Sequence, residues 1–173
     1  MTHTPNKTLP ATINLDKWAN IGFTWQGELA LAELERLSAD TQADTPLMVS
    51  VDLTKKDGIL WLTYDVKGCL SVVCQRCLSP LVVDVSGVYQ MALLDSDTQI
   101  DQVADQEYVL LSELGNPSHL PIRDLLEDGL ILALPLSPRH DDCELLTDSV
   151  GDLPDTPDDN PFAILANLKS KPS

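Results

Sequence analysis

The chain has 173 residues, 43% of them hydrophobic and only 5% aromatic, and its 27 Asp and Glu against 11 Lys and Arg give a net charge of −16. That length suits one domain with a real core, and four cysteines are too few for a disulfide scaffold. So acidic a chain repels phosphate and has no counterion release to gain, which argues against strong binding to naked nucleic acid; the charge either attracts cationic partners or simply keeps the protein in solution.

In chain order, residues 1–10 read as a loose arm without the apolar stretch of a signal peptide. Ile13, Leu15 and Trp18 follow as residues to dock on a core. Ile21, Phe23 and Trp25 alternate with small or polar neighbours, as in a strand that Gly27 ends. Residues 28–37 are good helix formers, with Ala30, Leu31, Leu34 and Leu37 on one face and Glu28 suited to the first turn. Residues 47–53 and 59–66 are two β-rich runs joined through Asp57-Gly58, the strongest short hairpin signal. Residues 69–73 read as the second strand continuing past a kink at Gly68, and 81–94 as another long strand broken at Gly87. Residues 95–106 read as an exposed acidic loop and 108–111 as a short strand. Residues 121–134 change to helical period: Ile122, Leu125, Leu126, Gly129, Leu130 and Ala133 face inward, and Arg123, Asp124, Glu127 and Asp128 outward. Pro121 fits the first helical position and Pro135 the stop.

From Asp141 to Asp159 there are eight acids and no base, a solvated linker. Asn160-Pro161 then start a short helix with Phe162, Leu165 and Leu168 on one side. It is too short to be helical alone, so it docks either on its own core or on a partner. The expected fold class is α+β: an antiparallel sheet, open or curled toward a barrel, with two packing helices and an acidic C-terminal tail ending in a short helix. The domain takes residues 1–140, the acidic linker 141–159 and the docking helix with its tail 160–173. The longest apolar run, 130–136, is far short of the roughly 20 residues of a membrane span. The expectation is a cytoplasmic protein with reduced thiols and no membrane contact.

Chemistry concentrates in Cys74-Gln75-Arg76-Cys77, set between two valine-rich runs. Between strands, both sulfurs can face one point at a turn. A redox Cys-x-x-Cys instead opens a helix, and Ser79-Pro80 and Val82-Val83 argue against one here. His140-Asp141-Asp142-Cys143 supplies a second pair, so that Cys74, Cys77, His140 and Cys143 form a zinc-compatible set. Against a metal, this second pair lacks a glycine and borders the acidic run. The favoured reading is a reduced, metal-free thiol pair with no cofactor; zinc is the alternative. Cys69, five residues before Cys74 in a strand, falls on the opposite face. Residues 47–84 carry four acids and four bases. The bases Lys55, Lys56, Lys67 and Arg76 read first as an ordinary solvated surface; the alternative is a small basic island suited to a few RNA or particle contacts. No phosphate-binding loop, nucleophile elbow, zincin or dinucleotide motif is present, and His3, His119 and His140 suggest no triad, so an enzyme is not expected.

Three motifs, taken together, resemble the bacterial YceD family of large ribosomal RNA subunit accumulation proteins. They are Cys74-Gln75-Arg76-Cys77-Leu78 with Pro80, Asp124-Leu125 through Ile131-Leu132-Ala133-Leu134-Pro135, and Asn160-Pro161-Phe162-Ala163-Ile164-Leu165-Ala166 with Leu168-Lys169. Trp25-Gln26-Gly27 fits too. The resemblance implies a role in synthesis, processing or stability of large-subunit (23S-type) ribosomal RNA, with a gene that commonly neighbours that of a small basic ribosomal protein. It carries over no catalytic residues. Some relatives in plants and Gram-positive bacteria have an extra cysteine cluster after the Leu-Pro; this chain has only His140 and Cys143 there. The expectation is a non-catalytic ribosome biogenesis factor that binds a basic ribosomal protein or a pre-ribosomal large-subunit particle. The alternatives are a ribosomal RNA processing enzyme or nuclease cofactor, and a zinc-dependent binding module.

Overall fold

The structure is a computed structural model that describes residues 8–103 and 106–145. Its elements are β1 (Ile13–Asn14), α1 (Leu15–Trp18), β2 (Phe23–Leu29), α2 (Glu35–Asp40), β3 (Leu47–Lys56), β4 (Ile59–Lys67), β5 (Cys69–Val73), β6 (Pro80–Asp84), β7 (Gly87–Leu94), α3 (Ile100–Val103), β8 (Tyr108–Leu110), β9 (His119–Leu120) and α4 (Ile122–Ala133). The class is α+β as expected. The main sheet is open, not a closed barrel, in the order β2-β3-β4-β7-β8, and among the described residues only the β7–β8 pair is parallel.

Period-two alternation sets the sheet's inner face. Val49, Val51 and Leu53 on β3 stand opposite Val66, Tyr64 and Leu62 on β4, and Leu62 stands opposite Met91 on β7. All are buried in one cluster with Leu125, Leu126 and Leu130 of α4, Leu37 of α2 and Leu34 at its cap. The Tyr64 hydroxyl donates to the Ile122 carbonyl oxygen at 2.6 Å, fixing the start of α4 on the sheet. On the other face a smaller cluster of Ile59, Ala92 and Leu94 is covered by Val103 and Ile100. The turn between β3 and β4 puts Asp57 at φ 53° and Gly58 at φ 85°, the two positive values of a type I′ hairpin.

Several expectations are corrected. Gly27 does not end its strand. It pairs with Val49 in a β2 that runs to Leu29, and a Cβ there would come within 2.8 Å of the Trp25 indole, so glycine leaves the ring room to lie over the strand. The helix expected over 28–37 is therefore displaced to a 3-10 turn at Leu31–Glu33 followed by α2. Residues 95–106 are no simple loop, since Ile100 and Val103, three apart, fold into α3 to cover the second cluster. Glu127 points inward and is 4% exposed, accepting from Arg36 Nε at 3.0 Å and from the Leu37 amide at 2.9 Å. The arm docks from Leu9 onward, as Leu9 is fully buried and its carbonyl accepts from Arg123.

The strands flanking the Cys-x-x-Cys form one long ribbon with a shared bend. β4 and β7 pair as far as Val66 opposite Gly87, and β5 and β6 resume pairing with Cys69 opposite Asp84 as a separate two-stranded sheet. Gly68, at φ 150°, makes the bend on one strand, and a Cβ there would lie 2.6 Å from Leu47 Cδ2. Across from it the Gly68 amide donates to Ser86 Oγ at 3.0 Å and the Ser86 amide to Asp84 Oδ1 at 2.9 Å. The break expected at Gly87 thus falls at residues 85–86.

Candidate metal centre

The tip of this ribbon is the six-residue connection 74–79. It is closed by the Cys74 amide donating to Ser79 O at 2.9 Å and the Leu78 amide donating to Cys74 O at 3.0 Å. Leu78 adopts φ 57°, a left-handed conformation that costs a non-glycine residue roughly 1–2 kcal/mol. No sequence signal marks this strained position, because leucine is not a turn residue.

The chain leaving α4 returns over the tip. Pro135 prevents the helix from continuing, and residues 136–143 are fastened by hydrogen bonds. Gln75 donates its amide to Pro138 O at 2.8 Å and accepts from Ser137 Oγ at 2.9 Å, and Arg76 Nη1 donates to Cys143 O at 3.0 Å. Arg76 therefore turns back onto the Cys143 backbone instead of outward into a basic island. Gln75 and Ser137 were not singled out from sequence; a pair 62 residues apart leaves no local pattern.

This crossing brings together all four expected side chains. Cys74 Sγ lies 3.7 Å from Cys143 Sγ, Cys77 Sγ lies 3.4 Å from His140 Nδ1, and the four ligand atoms all fall within 4.8 Å of one another. The group is able to hold a metal ion. The amides of Arg76 and His140 each donate toward Cys74 Sγ at 3.4 Å. Desolvation opposes charge on Cys74, but the amides of Cys77, Arg76 and His140 outweigh it and bring its pKa to about 5. The Ser79 amide likewise lowers Cys77 against its own desolvation. Contact with Cys74 and Cys77 raises His140, and desolvation followed by the neighbouring sulfurs raises Cys143. Without metal the group thus favours a thiolate on Cys74. Cys69 is exposed and outside it.

The remaining site residues are not gathered. Lys55 and Lys56 lie at the β3–β4 turn, where Lys56 stands opposite Ile59, while Lys67 stands opposite Met48 at the far end of the same hairpin. Eight residues of strand separate the two ends, roughly 27 Å. Phe162, Leu165, Leu168 and most of the acidic run lie outside the described residues.

The family described as "Large ribosomal RNA subunit accumulation protein YceD" matches residues 62–169, more than half of the chain and the part that holds the ribbon, α4 and the Cys3His group. A protein of Haemophilus influenzae carrying that description is 30% identical over 175 residues, covering 94% of this chain and 97% of its own. No solved structure matches. The chain belongs to the YceD family of large ribosomal RNA subunit accumulation proteins.

Proposed function

We propose that this protein is a non-catalytic biogenesis factor of the large ribosomal subunit, acting in the cytoplasm to support synthesis, processing or stability of the 23S-type ribosomal RNA. In this reading it works through cationic protein: a basic ribosomal protein or a precursor particle that carries one. The observation behind it is a net charge of −16 in a family named for ribosomal RNA accumulation. A polyanion gains nothing from releasing the counterions of another polyanion, whereas it attracts a basic protein and speeds the encounter. The strands from β3 through β6 are charge-balanced, so the whole imbalance lies on flanking chain, where a basic partner can reach it. Lys55 with Lys56, and Lys67 apart from them, offer separate small contacts to a particle and no cleft for RNA.

The rival reading is a nuclease or processing enzyme. That chemistry calls for carboxylates grouped around Mg²⁺ beside a basic cleft. Among the described residues the group able to hold a metal is sulfur-rich, a donor set for soft ions. No described helix is long and apolar enough to cross a membrane.

Affinity capture of the tagged chain, washed at stepped salt and read by mass spectrometry, tests the proposal. The expected yield is basic large-subunit proteins, lost as salt rises and lost when the acids of 141–159 are replaced by Asn and Gln. Tight capture of bare precursor RNA at physiological salt with no other polypeptide present would refute it. So would Mg²⁺-dependent cleavage abolished by one carboxylate substitution.

A further inference from the structure

We propose that Cys74, Cys77, His140 and Cys143 bind one zinc ion as a closed structural site, which rivets the ribbon tip to the chain leaving α4. This goes beyond the functional reading above and stands without it.

The spacing suits tetrahedral coordination. With zinc–sulfur bonds of about 2.3 Å and zinc–nitrogen bonds of about 2.0–2.1 Å, the sulfur–sulfur edge is about 3.8 Å and the sulfur–nitrogen edge about 3.6 Å. The Cys74–Cys143 separation of 3.7 Å and the Cys77–His140 separation of 3.4 Å match these edges, and the other pairs fall within 4.8 Å. Three thiols and an imidazole are the donors that select zinc over Mg²⁺ or Ca²⁺. Four protein ligands leave no open position for a reacting water, so the ion holds structure and does no chemistry.

The surroundings suit the charge that results. Zn²⁺ with three thiolates and a neutral imidazole carries −1, and the Arg76 and His140 amides already point at Cys74 Sγ. Donors of this kind orient metal-bound sulfur and spread its charge. The strained turn at Leu78 has a use here, since it closes the connection that presents both cysteines on one side.

Packing alone does not account for the crossing. No residue from Pro135 to Leu145 is buried, and Leu136 is fully exposed. Fixing each residue of such a segment costs more conformational entropy than an exposed hydrogen bond returns. A metal bond set supplies what is missing, because a site absent from the unfolded chain turns binding energy into folding energy. A Cys74–Cys143 disulfide is not an equivalent explanation. It would leave Cys77 and His140 converged without a role, and all four cysteines are free. The rivet also fixes the root of the acidic run, which begins at Asp141 between two of the ligands.

The test uses the full chain, purified without chelator from cells grown with zinc. Elemental analysis is expected to find about one zinc per chain, unchanged in Cys69→Ser and reduced at least tenfold in Cys77→Ala and Cys143→Ala. His140→Cys, which rebuilds a four-sulfur site, should retain the metal. Because an alanine variant can fail by misfolding, the wild type is also stripped of metal and refilled with Co²⁺. The expected result is thiolate-to-cobalt charge transfer with tetrahedral d–d bands. Hydrogen exchange at the Gln75 amide should quicken at least tenfold on stripping while β3 stays protected. A folded wild type that takes up neither zinc nor cobalt would overturn the proposal, as would iron in place of zinc, or full zinc occupancy in Cys143→Ala.

Discussion

Glu127 offers a sharp test of the packing, because its carboxylate is enclosed between α4 and α2 and serves two donors. One oxygen accepts the Leu37 amide at 2.9 Å and the other Arg36 Nε at 3.0 Å. The Leu37 amide is one of the first-turn donors of α2 that have no partner within the helix, and Leu34 at the cap has no side-chain acceptor to offer. Glu127→Ala strands that buried amide, at about 1–3 kcal/mol. The Arg36 contact adds less than about 1 kcal/mol, since its side chain is 51% exposed and keeps Asp128 and the Asp124 carbonyl. The loss expected for Glu127→Ala is about 2–3 kcal/mol. Glu127→Gln keeps an acceptor for Leu37 and turns an amide toward Arg36, costing about 1 kcal/mol. Urea unfolding at neutral pH measures both as shifts in midpoint at constant slope. A Glu127→Ala loss below about 0.5 kcal/mol, within the range of ordinary surface substitutions, would refute the capping role. Equal losses in the two variants would show that charge, not the acceptor, matters.

Three further outcomes follow from the same structure. Tyr64→Phe should lower stability by about 1 kcal/mol by removing the buried hydroxyl's hydrogen bond to the Ile122 carbonyl, measured by urea unfolding. Gly68→Ala should cost about 1–3 kcal/mol, because its Cβ would meet the fully buried Leu47 side chain and its φ is unfavourable to any other residue; a neutral result would mean the bend is not made there. The Ser86 side chain and amide hold the Asp84 carboxyl below its usual value of 3.8. A depressed folded pKa stabilises the bend fully above 3.8, and that contribution disappears as pH falls through the lower folded value. Carboxyl NMR should therefore find Asp84 titrating below 3.8 and moving back up in Ser86→Ala.

What could be read from sequence was local. Asp57-Gly58 announced its hairpin because a type I′ turn needs those residue types, and the stripe from Ile122 to Ala133 announced α4 because one face had to be apolar. The errors arose where a distant partner overrode the local pattern. Gly27 looked like a stop, yet Trp25 needed the space above it. Glu127 looked like surface, yet an arginine and an amide 90 or so residues away gave it an interior. The same limit applied to the Cys3His group. Both pairs are visible in the sequence, but nothing in their spacing tells that 69 residues of chain return Cys143 to Cys74. Only the common bend at Gly68 and Ser86, together with the stop after α4, makes that return.

Charge and packing are divided along the chain, which separates two ways of breaking the protein. β3 through β6 are charge-balanced and supply much of the buried core, so the core is built largely apart from the segments that carry the net charge of −16. The acids of 141–159 include Asp141, Asp142 and Glu144, which are exposed where described. Exposed charges contribute little to folding, and like charges in a row repel, so neutralising the run should leave the urea midpoint unchanged or slightly raised while weakening a cationic partner. Cys77→Ala acts at the other end of the same connection. It should release residues 136–145 from the ribbon tip and leave the run's charge intact. If partner binding depends on charge alone, only the first variant loses it. If it depends on where the acidic run is rooted, both lose it, and the second does so with a sheet that is still folded.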